Sequence, residues 1–255
     1  MAKLAPRASA RAGSAYSPEV PTRNSVHNEI LLGLPKREYG VLSPELELVE
    51  LMTHQVLNEM GQPIEWCYFV DQGLVSILNV MSDGKSVEIG ISGKEGFVGL
   101  PLVVGLNSSA TRALVQVAAS AYRLRAAAMR RVLEKCPQLE KSLNRYSQVL
   151  GLQSAQVAAC NRLHAVEQRL ARWLLMSQDR LGGDVVQLTQ EFLAHMLGTR
   201  RASVTVAAGV LQKSGLIQYT RGAVTIVSRA KLEAASCECY AIMTRQSGNW
   251  LRESH

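Results

Sequence analysis

One stretch near the C-terminal end, residues 188–217, restricts the fold of this chain more than any other segment. Thr189 is a favourable N-cap residue, because its hydroxyl can accept a hydrogen bond from a free amide of the first helical turn. Apolar residues then recur at helical spacing: Phe192, Leu193, Met196 and Leu197. Gly198 follows where a residue with positive φ ends a helix, and a second helix is expected over residues 200–213. The stretch therefore predicts two short helices with a sharp turn between them.

The second of these helices has one apolar side and one basic, polar side. Its predicted buried residues are Val204, Ala207, Ala208 and Leu211. The residues near its start that this apolar side leaves free are Arg200, Arg201, Ser203 and Thr205. This pattern is typical of a helix-turn-helix whose second helix presents its N-terminal residues to the major groove of DNA. A two-helix corner inside an ordinary core is the alternative.

The positive charge of the chain is concentrated at its two ends, although the net charge is only +7. Residues 164–255 contain 11 basic and seven acidic side chains, whereas residues 29–163 contain 13 of each. A basic C-terminal part is what phosphate binding requires. Residues 1–27 are rich in Ala, Arg and Ser and lack the apolar segment of a secretory signal, so we expect a disordered basic tail.

The apolar runs and the cysteines set limits on compartment and cofactors. No run approaches the roughly 18 apolar residues of a membrane span, so we expect a cytoplasmic protein without a membrane partner. Five cysteines without a secretion signal indicate reduced thiols rather than a disulfide framework. Cys237 and Cys239 have the spacing of part of a metal site, but no further Cys or His lies close to them in sequence. We therefore predict structural thiols, no metal and no cofactor.

The first half of the chain changes from helical patterns to period-two alternation at about His54. A short helix is predicted over residues 28–35, and a second over residues 42–51, with Ser43 as its cap and Pro44 at its first position. Asp71-Gln-Gly73 is predicted to be a turn between strands. The expected strands are residues 64–70, 74–80, 86–91, 112–117 and 121–125. Short strands at regular spacing predict a small antiparallel barrel or roll.

A long helix with a heptad pattern follows the strands. Residues 126–136 predict a short helix, and Pro137 opens the longer one. Its heptad stripe consists of Leu139, Leu143, Tyr146, Leu150, Gln153, Val157 and Cys160. A stripe of this period needs a partner helix, and the simplest partner is the same helix of a second chain. Packing onto the chain's own barrel is the alternative.

The C-terminal third begins with a predicted hinge at residues 161–164. An amphipathic helix begins at Val166 and ends near Gly182, ahead of the helix-turn-helix. Residues 216–227 predict a hairpin wing that can place Arg221 near a phosphate. Residues 229–245 predict one closing helix.

This order of elements resembles the Crp/Fnr superfamily of bacterial transcription regulators. The motifs that carry the resemblance are Ser82-Asp-Gly-Lys85, Gly93-Lys-Glu-Gly-Phe-Val-Gly99, Arg169-Leu-Ala-Arg-Trp-Leu-Leu175, Leu188-Thr-Gln-Glu191 and Leu216-Ile217. It covers about residues 28–245. It implies an α+β fold: an N-terminal antiparallel β-roll of the double-stranded β-helix type, a long dimerisation helix and a C-terminal winged helix-turn-helix.

The resemblance also implies domains and partners. The expected divisions are a tail (1–27), the β-roll sensor domain (28–136), the dimerisation helix and hinge (137–162), the DNA-binding domain (163–245) and a second tail (246–255). The implied assembly is a homodimer on a near-palindromic double-stranded DNA operator. RNA polymerase is the implied protein partner. The roll would sense an unidentified effector.

The effector pocket of the family is degenerate in this sequence. Where cyclic-nucleotide-binding relatives have Gly-Glu for the ribose, this chain has Gly99-Leu100. Where they carry an Arg for the cyclic phosphate, it has Thr111, with Arg112 one place later, and a shift of one residue in a strand turns a side chain to the opposite face. Unpaired polar groups of a nucleotide cost about 1–3 kcal/mol each, so we predict no tight cyclic AMP binding.

The recognition helix both keeps and departs from the family pattern. Arg201 aligns with the guanine-reading Arg of the family, whereas Ala202 and Val206 replace its other base-reading residues. The predicted base-contacting residues are Arg201, Ser203, Thr205 and Val206. The predicted phosphate-contacting residues are Thr189, Arg200 and Arg221.

An enzyme is not predicted. The sequence has no phosphate loop ending in Lys-Ser/Thr, no nucleophile elbow and no His-Glu-x-x-His motif. The remaining alternative is an effector-binding or redox-sensing regulatory protein whose functional site is the β-roll.

Overall fold

The structure is a computed structural model that describes residues 23–220 and 222–252. The predicted tail falls largely outside the described residues, as does Arg221. The helices are α1 (Glu29–Leu32), α2 (Lys36–Leu42), α3 (Ala126–Leu133), α4 (Pro137–Leu163), α5 (Val166–Leu181), α6 (Gln190–Met196), α7 (Arg201–Lys213), α8 (Arg229–Ala235) and α9 (Cys239–Arg252). The strands are β1 (Glu47–Leu51), β2 (Val56–Asn58), β3 (Trp66–Val80), β4 (Ser86–Ser92), β5 (Phe97–Val98), β6 (Arg112–Arg125), β7 (Val185–Gln187), β8 (Ile217–Thr220) and β9 (Ala223–Ile226).

The N-terminal domain is an antiparallel β-roll built around two long strands, β3 and β6. Its sheet has the order β1-β6-β3-β4, with β2 paired to β6 and β5 paired to β3. The predicted turn at Asp71–Gly73 is wrong, because β3 continues through it with shifts of register against β6. Gly73 has φ +87°, and a Cβ there would lie 2.5 Å from the carbonyl oxygen of Ala118. The glycine thus allows the two strands to bend together rather than to end.

The helix predicted over residues 42–51 is also wrong. Ser43–Glu45 form a single 3-10 turn, and the chain then enters strand β1, which pairs with residues 119–123 of β6. The Ser-Pro-Glu sequence does start a helical turn, as its local propensity predicts. The edge of β6 offers backbone partners over the next five residues, and this pairing overrides the local preference.

The heptad stripe of α4 faces the interior of its own chain. Leu139, Leu143 and Tyr146 are fully buried against the roll and α3, and the Tyr146 hydroxyl lies 2.9 Å from Ser92 Oγ. Gln153 is buried too, with its Oε1 accepting from the backbone amide of Ile91. The prediction that this stripe is the dimer interface is therefore wrong. The physical reason is that the roll has an apolar face, and the stripe packs against that face within the same chain. The alternative of intramolecular packing is confirmed.

The predicted closing helix over residues 229–245 is interrupted. Helix α8 ends at Ala235, three residues intervene, and α9 begins at Cys239. Helix α9 then packs along α4, so that the C-terminal part of the chain returns to the long helix. Among the described residues, every helix is too short or too polar to span a membrane.

Helix α5 joins the two domains through one continuous apolar core. This core unites Leu74, Leu78 and Ile91 of the roll with Trp173 of α5 and with the helix-turn-helix. At its edge Arg180 Nε of α5 lies 2.7 Å from Glu95 Oε1 of the roll, and both side chains are largely buried. The C-terminal domain is therefore packed against the roll rather than separated from it.

Candidate functional site

Helices α6 and α7 form the helix-turn-helix that the sequence predicts. The Thr189 hydroxyl accepts from the backbone amide of Phe192 at 3.2 Å, so its role as N-cap is confirmed. Gly198 has φ +56° in the turn between the helices. The predicted apolar side of α7 is buried at all four positions: Val204, Ala207, Ala208 and Leu211. These residues hold α7 against α5 and α6, and this packing fixes which side of α7 faces outward.

The outward side of α7 carries three of the four predicted base-contacting residues. Arg201 and Thr205 are exposed one turn apart, and Val206 is 68% exposed. Thr205 Oγ1 lies 2.8 Å from Gln190 Oε1 of α6, which orients the hydroxyl. Ser203 is half-buried and, like Arg201, lines a cleft toward the roll. Arg201, Thr205 and Val206 are thus exposed at the start of α7, whereas Ser203 is half-buried.

The predicted phosphate-contacting residues flank this surface. Arg200 is the exposed N-cap residue of α7, and Thr189 is exposed at the start of α6. The predicted wing is confirmed as the β8–β9 hairpin, and Tyr219 in β8 donates its hydroxyl hydrogen to the Leu188 carbonyl at 3.1 Å. That contact anchors the wing beside the start of α6. Arg221 lies outside the described residues.

A cleft of about 910 Å³ separates the start of α7 from the β3–β4 hairpin of the roll. On the roll side it is lined by Lys85 and Val87, and on the other side by Arg200 and Arg201. A Cβ at Gly198 would lie 2.9 Å from Val87, so the turn of the helix-turn-helix touches the roll directly. The N-terminal end of α7 therefore lies next to the roll.

Glu88 lies in the buried junction between the two domains. Its Oε1 accepts from Trp173 Nε1 at 2.8 Å, and its Oε2 accepts from Ser76 Oγ at 2.7 Å. Burial raises the pKa of Glu88 to about 7, although these two hydrogen bonds and the charge of Arg172 act in the opposite direction. A carboxyl group that titrates near neutrality therefore links strand β4 to helix α5.

The predicted effector pocket has its basic side chain already paired. Arg112 Nε lies 3.0 Å from each carboxylate oxygen of Glu59, and its terminal nitrogen lies 2.9 Å from Oε2. Thr111 shares a hydrogen bond of 3.0 Å with Ser109. Gly99 has φ +114° at the start of a 3-10 turn, and Leu100 packs against the apolar core of the roll. These four residues therefore present no free cation to a phosphate.

The sequence did not reveal a cluster of three thiols and one imidazole near the hinge. The cluster consists of Cys160, His164, Cys237 and Cys239, whose ligand atoms all lie within 4.8 Å of one another. Cys160 Sγ is 3.5 Å from Cys237 Sγ, and Cys239 Sγ is 3.4 Å from His164 Nδ1. Cys160 and His164 are four residues apart at the end of α4, which places them on one helical face. No sequence pattern reveals this cluster, because Cys160 and His164 are more than 70 residues away from Cys237 and Cys239. Only the fold brings the four side chains together.

The electrostatics of this thiol cluster are unusual for a protein interior. A hydrogen bond from Cys237, with the charge of Arg172, lowers the pKa of the Cys160 thiol, and the same contact raises the pKa of Cys237. Burial lowers the pKa of the Arg169 guanidinium, and the Cys160 charge opposes this shift. The Nε atoms of Arg169 and Arg172 are buried without an acceptor among the described residues. Two buried guanidinium groups, each with an unpaired Nε, thus act electrostatically on Cys160.

Models of two protein families match the chain. The cyclic nucleotide-binding domain matches residues 48–136, and the Crp-like helix-turn-helix domain matches residues 168–235. No curated protein matches the sequence significantly.

Solved structures match over most of their length. FixK2 from Bradyrhizobium japonicum is 16% identical with a TM-score of 0.65, and the match covers 75% of this chain and 98% of that one. TTHA1359, a Crp/Fnr family transcriptional regulator from Thermus thermophilus, is 20% identical with a TM-score of 0.62, covering 74% and 98%. The c-di-GMP-responsive global regulator CLP from Xanthomonas campestris is 17% identical with a TM-score of 0.60, covering 72% and 95%. These likenesses support the fold assignment.

Proposed function

We propose that this chain, as a member of the Crp/Fnr superfamily of transcription regulators, binds a near-palindromic DNA operator as a homodimer. The observation that carries the proposal is the exposed group of Arg201, Thr205 and Val206 at the start of α7. A helix-turn-helix inserts this part of its second helix into the major groove.

Each residue of this group has a distinct role in the proposed readout. Arg201 binds O6 and N7 of a guanine through two parallel hydrogen bonds, as arginine commonly does. Val206 is an exposed apolar side chain on a basic surface and contacts a thymine methyl group. Thr205, held by Gln190, contacts a neighbouring base edge. Thr189 and Arg200 bind phosphates on either side and set the position of the helix.

DNA binding is tested with duplexes selected from a random pool by the full-length protein. Fluorescence anisotropy at two salt concentrations then compares the selected duplex with random duplex DNA. We expect Arg201→Ala to weaken binding to the selected duplex selectively, whereas Lys213→Ala, which removes the same charge at the far end of α7, retains the preference. Absence of salt-dependent duplex binding by the wild type contradicts the proposal.

The proposed dimer interface is the outer face of α4, opposite the buried heptad stripe. This outer face repeats with steps of three and four residues and is exposed along its length: Lys141, Asn144, Gln148, Gly151, Ala155, Ala158 and Arg162. The small side chains at Gly151, Ala155 and Ala158 allow two helix backbones to approach closely. A second copy of the same helix satisfies this pattern, because its own outer face has the same spacing.

Sedimentation of matched variants tests this assembly. We expect Ala155→Arg to yield a folded monomer, because a long charged side chain at the centre of the outer face prevents close approach. Ala230→Arg, which adds the same charge on the exposed side of α8, serves as the control and stays dimeric. A wild-type chain that sediments as a monomer at all concentrations contradicts the dimer.

For the roll, we propose that cyclic AMP is not its ligand. The supporting observation is the ion pair of Arg112 with Glu59, which leaves this arginine without a free charge for a cyclic phosphate. Calorimetry that detects cyclic AMP affinity in the micromolar range contradicts this. Contact with RNA polymerase stays a prediction, and transcription from a promoter carrying the selected duplex tests it.

A further inference from the structure

We propose that the thiol cluster (Cys160, His164, Cys237 and Cys239) is a binding site for one Zn²⁺ ion that fastens α9 to the end of α4. Zinc in structural sites takes four ligands in a tetrahedron, and three thiolates with one imidazole are an established ligand set. Zn–S bonds of about 2.3 Å and Zn–N bonds of about 2.0–2.1 Å give ligand-to-ligand distances of about 3.5–3.8 Å.

The distances in the cluster match this tetrahedron. The Cys160–Cys237 sulfur distance is 3.5 Å, and the distance from Cys239 Sγ to His164 Nδ1 is 3.4 Å. All other pairs of ligand atoms lie within 4.8 Å of each other. Side-chain rotations that move these atoms by up to about one ångström therefore bring them to tetrahedral distances. The three cysteines are buried, and the imidazole lies at the edge of the site. The site is thus closed, as structural zinc sites are.

The surroundings of the cluster supply a second, independent argument. Arg169 and Arg172 are buried guanidinium groups whose Nε atoms have no acceptor among the described residues. Burying a charged group costs free energy of folding unless the group is paired with an opposite charge and fully hydrogen-bonded. Three thiolates and a neutral imidazole around Zn²⁺ carry a net charge of −1, which compensates part of this positive charge. His164 also has a carboxylate behind it, because its Nε2 lies 3.3 Å from Glu238 Oε2, and zinc-bound histidines commonly have such a partner.

The position of the site defines what the metal does. Cys160 lies in the last turn of α4 and His164 directly follows this helix, whereas Cys237 and Cys239 flank the start of α9, beyond the whole helix-turn-helix. A bound ion therefore closes a loop of the chain that contains the DNA-binding domain. We infer that zinc fixes the orientation of this domain relative to α4; this step rests on the proposed function, whereas metal binding does not.

Metal content of the purified full-length chain tests the site. We expect plasma mass spectrometry to find one zinc ion per chain, and cobalt(II) substitution to give the visible bands of a tetrahedral thiolate complex. Cys239→Ser and His164→Ala should lose the metal, and Cys136→Ser, which removes a buried thiol elsewhere in the chain, should retain it. If the cysteine variant does not fold, the Tm of the wild type is measured with and without a chelator instead. We expect the chelator to lower the Tm, because a metal bound to the folded chain stabilises it.

Two results overturn the zinc site. One is a reduced wild-type chain that retains no zinc after dialysis from excess zinc and gives no tetrahedral cobalt spectrum. The other is an intact mass lower by two hydrogens with a Cys160–Cys237 crosslink, which indicates a redox pair instead. If zinc binds but its removal leaves affinity for the selected duplex unchanged, the orienting role is overturned. If the zinc-loaded chain binds no duplex at all, the proposed function fails while the metal site stands.

Discussion

Replacing Glu88 by glutamine tests the buried junction between the roll and the DNA-binding domain. Glutamine has almost the same shape, and its carbonyl oxygen can accept from Trp173 Nε1, as Glu88 Oε1 does at 2.8 Å. Its amide can donate to Ser76 Oγ, which then directs its own hydrogen to Gln116 Oε1 at 2.6 Å. Both contacts are therefore retained, and only the ionisable group is removed.

The pKa of Glu88 gives the magnitude and the direction of the effect. Burial raises the pKa from 4.5 to about 7, so between these values the folded chain holds a proton that the unfolded chain releases. The free energy of unfolding of the wild type therefore falls as the pH rises through this window. The group is fully buried, and the full shift corresponds to about 3 kcal/mol. We expect Glu88→Gln to match the wild type at the acid end and to be more stable by about 3 kcal/mol above the window.

Urea unfolding followed by circular dichroism, at a series of pH values from about 4 to about 8, measures this difference. Glu50→Gln, at an exposed position of β1, is the matched control and should follow the pH profile of the wild type. A difference between Glu88→Gln and the wild type that is constant over the whole series refutes the reasoning. In that case the carboxyl group is not ionised differently in the folded and unfolded chains.

Three further substitutions test other parts of the structure. Leu143→Ala should lower the free energy of unfolding by about 2–5 kcal/mol, because the side chain is fully buried, and should leave the sedimentation coefficient unchanged. Thr189→Ala should cost about 1 kcal/mol in urea unfolding, because it removes the N-cap of α6, and no loss there contradicts the cap. Arg201→Ala should weaken binding to the selected duplex by about 1–3 kcal/mol; an equal loss on random duplex contradicts base readout.

Local patterns predicted the two helices of the helix-turn-helix correctly. The N-cap at Thr189, the turn at Gly198 and the buried side of α7 all follow from short-range rules of helix capping and periodicity. Such rules concern contacts within about one helical turn, so they need no knowledge of the rest of the fold. The same rules predicted a helix where β1 lies, because the pairing of β1 with β6 joins residues some 70 positions apart.

The candidate sites divide in the same way. The exposed group at Arg201 could be predicted, because the apolar side of one helix determines its outer side. The heptad stripe predicted that one side of α4 is buried, because apolar residues repeat along it with a period of seven. This period does not show whether the stripe packs against a second chain or against the roll of its own chain.

By itself the sequence determined the two domains, the long helix between them and the side of α7 that faces outward. Each of these follows from the spacing of apolar residues that are close together in sequence. Only the tertiary structure decided that the stripe of α4 packs inside the chain and that Glu88 contacts Trp173 across the domain junction. It alone also brought the three thiols and the imidazole of the thiol cluster together at the end of α4. The physical reason is that burial and convergence depend on residues far apart in sequence, which the close packing of the folded chain brings within a few ångströms.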